Sequence, residues 1–164
     1  MKINKVNYFY SRLTIMTKLE INNKNHIYLR YTILLLFFPI FYCLLKLKNK
    51  KTRRQIIIVE YILVILLIIT IIFSQMFWGN PIKNSRIHKL DAIVAKIVMI
   101  SFAIYTIKYK FKISFIFILL AILILSYFSN YYSNKEWCSN KHLLYHGLLH
   151  ICCFLATIYT FYPV

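Results

Sequence analysis

From Ile56 to Trp78 the chain runs 23 residues in which only Glu60, Thr70, Ser74 and Gln75 interrupt an apolar sequence. A helix of that length rises about 35 Å, enough to cross a hydrocarbon core of about 30 Å. Four other stretches repeat the pattern: Tyr31 to Leu45, His88 to Ile107, Ile113 to Ser129 and His142 to Tyr162. The first is short for a span, so it is expected to begin a turn or two earlier and let Arg30 snorkel. Polar punctuation separates them: the basic run Lys46 to Arg54, the stop Gly79-Asn80-Pro81, the cluster Lys108 to Lys112, and the polar, aromatic stretch Asn130 to Lys141. Asn80 precedes a proline and is steered away from helical backbone, which predicts a tight loop there, running through Ile87. The chain therefore reads as all-α, a polytopic transmembrane helix bundle of about five spans. Residues 1–30 form a basic N-terminal tail and residues 31–164 a single helical domain. The tail holds no apolar run of signal-peptide length, so its retention is expected.

The charge follows from the same layout. Lys and Arg number 21 against 4 Asp and Glu, for a formal net charge of +17. Such an excess suits nucleic acid when it forms one surface, but here the cations sit in short clusters between spans, where lipid headgroups and topology account for them. Membrane lipids are the expected partners, with no nucleic acid and with room for a homo-oligomer. The cations divide almost evenly between the two faces, so they do not set the orientation. Two glycines leave no phosphate-binding loop. Three of the four cysteines lie in apolar segments and none forms a CxxC pair, which predicts small packing residues and not a disulfide framework.

Counting spans places the unusual side chains. Ser74 ends the second span, His88 and Asp91 open the third, and His142 and His146 open the fifth, so all five approach one membrane face. His142-Leu-Leu-Tyr-His146 sets two imidazoles one turn apart on one helix face, the spacing by which a helix offers a divalent metal two ligands. A zinc ion needs a third protein ligand and keeps one position open, and His88 is the candidate by geometry. Asp91, on the same face as His88, suits a general base or a hydrogen-bond partner of a ligand, and Ser74 suits an oxyanion-stabilising or water-orienting role. His150, one turn deeper, reads as a packing residue or a support for the ligands. Glu60 is expected to pair with Arg53 or Arg54. Lys96 either snorkels or neutralises an acid inside the bundle.

These positions resemble the superfamily of membrane metallohydrolases that includes alkaline ceramidases and the progestin and adiponectin receptors. Its members are seven-helix bundles holding zinc with three histidines, with a Ser and a His near the end of the second helix, an Asp near the third, and an HxxxH pair opening the last. The matching positions are Ser74, Asp91, His142 and His146, over residues 70 to 162. Where the family places its first histidine, four residues after the serine, this chain has Trp78, and it has two helices fewer. The resemblance implies a zinc-dependent hydrolase acting on a lipid amide or ester bond. The alternative is a non-enzymatic integral membrane protein with a structural or membrane-organising role. A third reading, haem between facing histidines, has only His88 to supply the opposite ligand.

Overall fold

The computed structural model describes residues 24–48, 54–110, 113–137 and 139–162. Residues 1–23 of the expected basic tail and most of the basic run after Lys48 lie outside them. Among the described residues the chain is helical and without strands, and five helices are long and apolar enough to cross a membrane. They are α1 (Ile27–Lys48), α2 (Arg54–Gly79), α3 (Arg86–Tyr109), α4 (Ile113–Lys135) and α5 (Asn140–Phe161), with a 3-10 turn at Lys24–His26 leading into α1.

The helix ends follow local chemistry. α1 starts one turn ahead of Tyr31, as its short apolar run requires. It tightens to 3-10 geometry over Leu34–Leu36, just before Pro39. A proline there cannot donate to the Leu35 carbonyl, and its ring crowds that carbonyl. After α2, Asn84 takes a left-handed backbone (φ 62°), a conformation asparagine tolerates better than most residues, and this turns the chain back within the loop Asn80 to Ser85. Ser85 and Ser139 then cap α3 and α5: each has extended backbone and accepts the amide of the residue three positions on, His88 and His142 respectively, at 3.1 Å. α4 runs six residues past Ser129, so the expected loop from Asn130 is helical as far as Lys135. The polar residues there are not a break, because Ser129 and Ser133 turn inward against α5.

Lipid tails are as apolar as leucine, so helices inside a membrane associate by close packing and interhelical hydrogen bonds more than by leaving solvent. The main core joins Ile33, Leu36, Ile40 and Cys43 of α1 to Leu63, Val64, Leu67 and Ile71 of α2, Val98, Phe102 and Tyr105 of α3, and Phe161 of α5. α4 stands outside this core and packs mainly on α5 through Ser126, Ser129 and Ser133, small buried residues spaced along one face. α2 and α3 run antiparallel in a fixed register. Phe77 stacks on His88 at one end and Glu60 hydrogen-bonds Tyr105 at the other, the paired positions lying 17 residues apart on each helix. Cys43, Cys152 and Cys153 are free, as expected of packing residues.

At the end of the bundle remote from the histidines, Glu60 is fully buried and pairs with Lys46 of α1 at 2.6 Å. This replaces the expected arginine partners. Six residues turn a helix through about 240°, so Arg54 lies on the exposed side of α2 while Glu60 faces the core; Arg53 lies outside the described residues. Tyr105 donates to the same Glu60 oxygen, and Lys46 also reaches the Phe161 carbonyl at 3.3 Å. Lys110 donates to the Tyr162 carbonyl at 2.8 Å. Burial, and then the Lys46 charge, lower the Lys110 pKa, against the opposing pull of Glu60. Lys96 is exposed on the outer side of α3 and forms no ion pair among the described residues.

Candidate functional site

At the other end the expected residues gather, together with aromatic rings. Phe77 and Trp78 close α2, His88 opens α3, Trp137 precedes the α5 cap, and His142 and His146 form the first two turns of α5. Trp78 packs against the rings of His142 and His146 at centroid distances of 5.7 and 4.7 Å. Trp137 touches both His88 (5.3 Å) and His142 (4.5 Å). The residue that stands where the resembled family has a histidine is thus a wall of the same cluster.

The hydrogen bonds fix the tautomers of His142 and His150. His142 Nδ1 lies 2.7 Å from the Ser133 carbonyl, which only accepts, so Nδ1 carries the proton and donates. Its Nε2 lone pair is then exposed to nothing: that atom is buried and has no hydrogen-bond partner. His146 Nδ1 meets the Ser133 hydroxyl at 3.1 Å. His150 Nδ1 lies 2.7 Å from Thr32 Oγ1, whose own proton goes to the Leu29 carbonyl, so His150 also donates through Nδ1. An imidazole tied down through Nδ1 with Nε2 left free is the usual posture of a metal ligand. The ring centroids of His142 and His146 are 5.7 Å apart, close to the spacing of about 5 Å that two imidazoles take on one tetrahedral zinc at Zn–N of about 2.0 Å.

His88 is arranged differently. Its Nδ1 accepts the Asn84 amide at 2.9 Å, so the neutral ring holds its proton on Nε2 and its lone pair is committed. The ring lies flat on Phe77, centroids 4.6 Å apart and planes within 9°. Among the described residues no three His, Cys, Asp or Glu side chains gather as a metal-binding group. The described residues thus place His142 and His146 one turn apart, with His88 nearby but its Nδ1 committed to the Asn84 amide.

Ser74 is buried and Asp91 half-buried. Ser74 lies three residues before Phe77, and Asp91 three after His88. The antiparallel register thus sets them at the same level of the α2–α3 seam, although no hydrogen bond joins them. Asp91 has no hydrogen bond or ion pair among the described residues. Ser133, which orients two histidines, was not a candidate from the sequence. Its signal is the spacing Ser126, Ser129, Ser133, one face of a helix extended past Asn130. Comparison of the chain with protein-family profiles, curated proteins and solved structures found no match.

Proposed function

We propose that this chain is a multi-pass integral membrane protein that hydrolyses an amide or ester bond of a membrane lipid at a zinc site beneath the histidine end of the bundle. The observation that carries the reading is His142: a fully buried imidazole held by a backbone carbonyl on one nitrogen and left without a partner on the other. His142 and His146 are the proposed ligands. His88 serves as the third by releasing the Asn84 amide, a loss of about 1 kcal/mol that is small beside the roughly 10–16 kcal/mol of a structural zinc site. Bound there, zinc would supply Lewis-acid polarisation of a lipid carbonyl. Asp91, a carboxylate without a partner among the described residues, accepts a proton, and Ser74 on the same level positions the group undergoing attack. The resemblance to the membrane metallohydrolases supports the same roles.

One observation favours the non-enzymatic reading. Phe77, Trp78 and Trp137 pack directly on the histidines, and neither of the grooves described below is lined by a histidine. In that reading the histidine cluster is a packing device at the headgroup level.

Metal analysis of detergent-purified protein, prepared without chelator, separates the two. The hydrolase reading expects about one zinc per chain, lost in His142→Ala with His146→Ala, and release of fatty acid from a ceramide or ester lipid that is lost in Asp91→Asn. Metal-free wild type overturns the zinc site. Zinc without turnover overturns the hydrolase and leaves a structural metal.

A further inference from the structure

Arg30 lies at the histidine end of α1, on its exposed side. Its Nε donates to Gln75 Oε1 at 3.0 Å, and Gln75 Nε2 donates back to the Arg30 carbonyl at 2.6 Å. This reciprocal clamp fixes the guanidinium through its inner nitrogen and leaves the four N–H donors of its outer nitrogens unused. Among the described residues no carboxylate neutralises it: the ion pair there is Lys46 with Glu60, at the opposite end. Around the clamp is a groove of about 230 Å³ lined by Ile27, Arg30, Tyr31, Leu34 and Gln75. Farther along α1 lies a second, wholly apolar groove of about 390 Å³ between Phe37 and Leu44.

The two grooves share a helix face. Arg30, Leu34, Phe37, Phe41 and Leu44 follow one another at spacings of four and three, which keeps them on one stripe. From Arg30 the stripe descends about 10 Å to Phe37 and about 21 Å to Leu44, the reach of a glycerol backbone and an acyl chain below a phosphate. Phe37 and Phe41 are exposed. A forked, uncompensated cation at headgroup depth above an aromatic furrow has the polarity of a lipid: anion above, hydrocarbon below.

We propose that the Arg30–Gln75 clamp and the furrow beneath it bind one anionic glycerophospholipid, its phosphate on the Arg30 guanidinium and an acyl chain along Phe37, Phe41 and Leu44. The site shares no residue with the histidine cluster, so it stands or falls independently of the zinc reading.

Native mass spectrometry of the full chain, titrated with phosphatidylglycerol or phosphatidylcholine, reads the retained lipid directly. Wild type should prefer phosphatidylglycerol about tenfold, because the choline cation of phosphatidylcholine offsets the phosphate charge that the guanidinium would otherwise meet. Arg30→Gln should bring the preference to within about twofold, and Arg30→Lys, which keeps the charge but loses the fork, should fall between them. Lys89→Gln, an exposed cation at the same end, should change nothing. Circular dichroism confirms that each variant is folded, and Arg30→Lys decides the matter if Arg30→Gln is not. No preference in wild type overturns the site. Equal losses in Arg30→Gln and Lys89→Gln assign the effect to diffuse surface charge and also overturn it. Competition by inorganic phosphate as strong as by lipid removes the role of the furrow.

Discussion

The chain holds four carboxylates against 21 Lys and Arg, and the two that lie within spans have different fates. Glu60 is fully buried and held by Lys46 and Tyr105, with its second oxygen left without a partner. Asp91 has no partner at all among the described residues. For the pair, the two ends are unequal: Lys46 keeps 19% of its side chain accessible, whereas Glu60 keeps none. A lysine that loses its acid can snorkel, but a buried glutamate that loses its lysine cannot reach water and is left as an unpaired buried charge. Lys46→Met should therefore destabilise the bundle more than Glu60→Gln, the larger loss approaching the 3–5 kcal/mol of an uncompensated buried charge. Thermal unfolding in detergent measures the order, and equal or reversed losses contradict the assignment. The residues of the histidine end were legible because span parity alone puts Ser74, His88, Asp91, His142 and His146 on one face. The partner of Glu60 was not, because it depends on which side of α2 packs inward, and the sequence neighbour Arg54 lies on the other side.

At the scale of elements, the two caps carry the site. Ser85 and Ser139 each hold the amide three residues on, and in both helices that residue is a histidine of the cluster. The start of a helix and the placement of its functional ring are therefore one event. Ser139 also donates its hydroxyl proton to the Glu136 carbonyl at 2.6 Å, tying the cap to the turn that carries Trp137. Removing the cap in Ser139→Ala should cost about 1 kcal/mol, and Ser139→Asp should retain the capping bond. The sharper readout is local: hydrogen exchange at the His142 and Leu143 amides should accelerate in the alanine variant and not in the aspartate one. Unchanged exchange in both would mean that α5 begins independently of the serine. Spans could be read to within a few residues wherever apolar sequence met a strong stop, as at Gly79-Asn80-Pro81. The end of α4 could not, because its last turns are polar and are kept helical by what they face, the histidines of α5.

For the whole molecule, five antiparallel crossings give the bundle two chemically different ends. One gathers imidazoles, indoles and the arginine clamp; the other gathers Lys46, Glu60, Tyr105 and Lys110. The intervening core is apolar and shared by four helices, while α4 leans mainly on α5 through its serines. Lysines and arginines flank both ends, so charge does not choose which end faces which compartment, but helix parity requires the ends to lie on opposite sides. Lys83, in the loop between α2 and α3, belongs to the histidine end, and Lys108, at the close of α3, to the other. In a cysteine-free background, Lys83→Cys and Lys108→Cys should react in complementary fashion with a membrane-impermeant maleimide: one in sealed vesicles, the other only after permeabilisation. Asn134→Cys, near the end of α4, should follow Lys83→Cys. Labelling of both loop positions in sealed vesicles would contradict a single five-span topology, and whichever position reacts alone identifies the compartment that the histidine end faces.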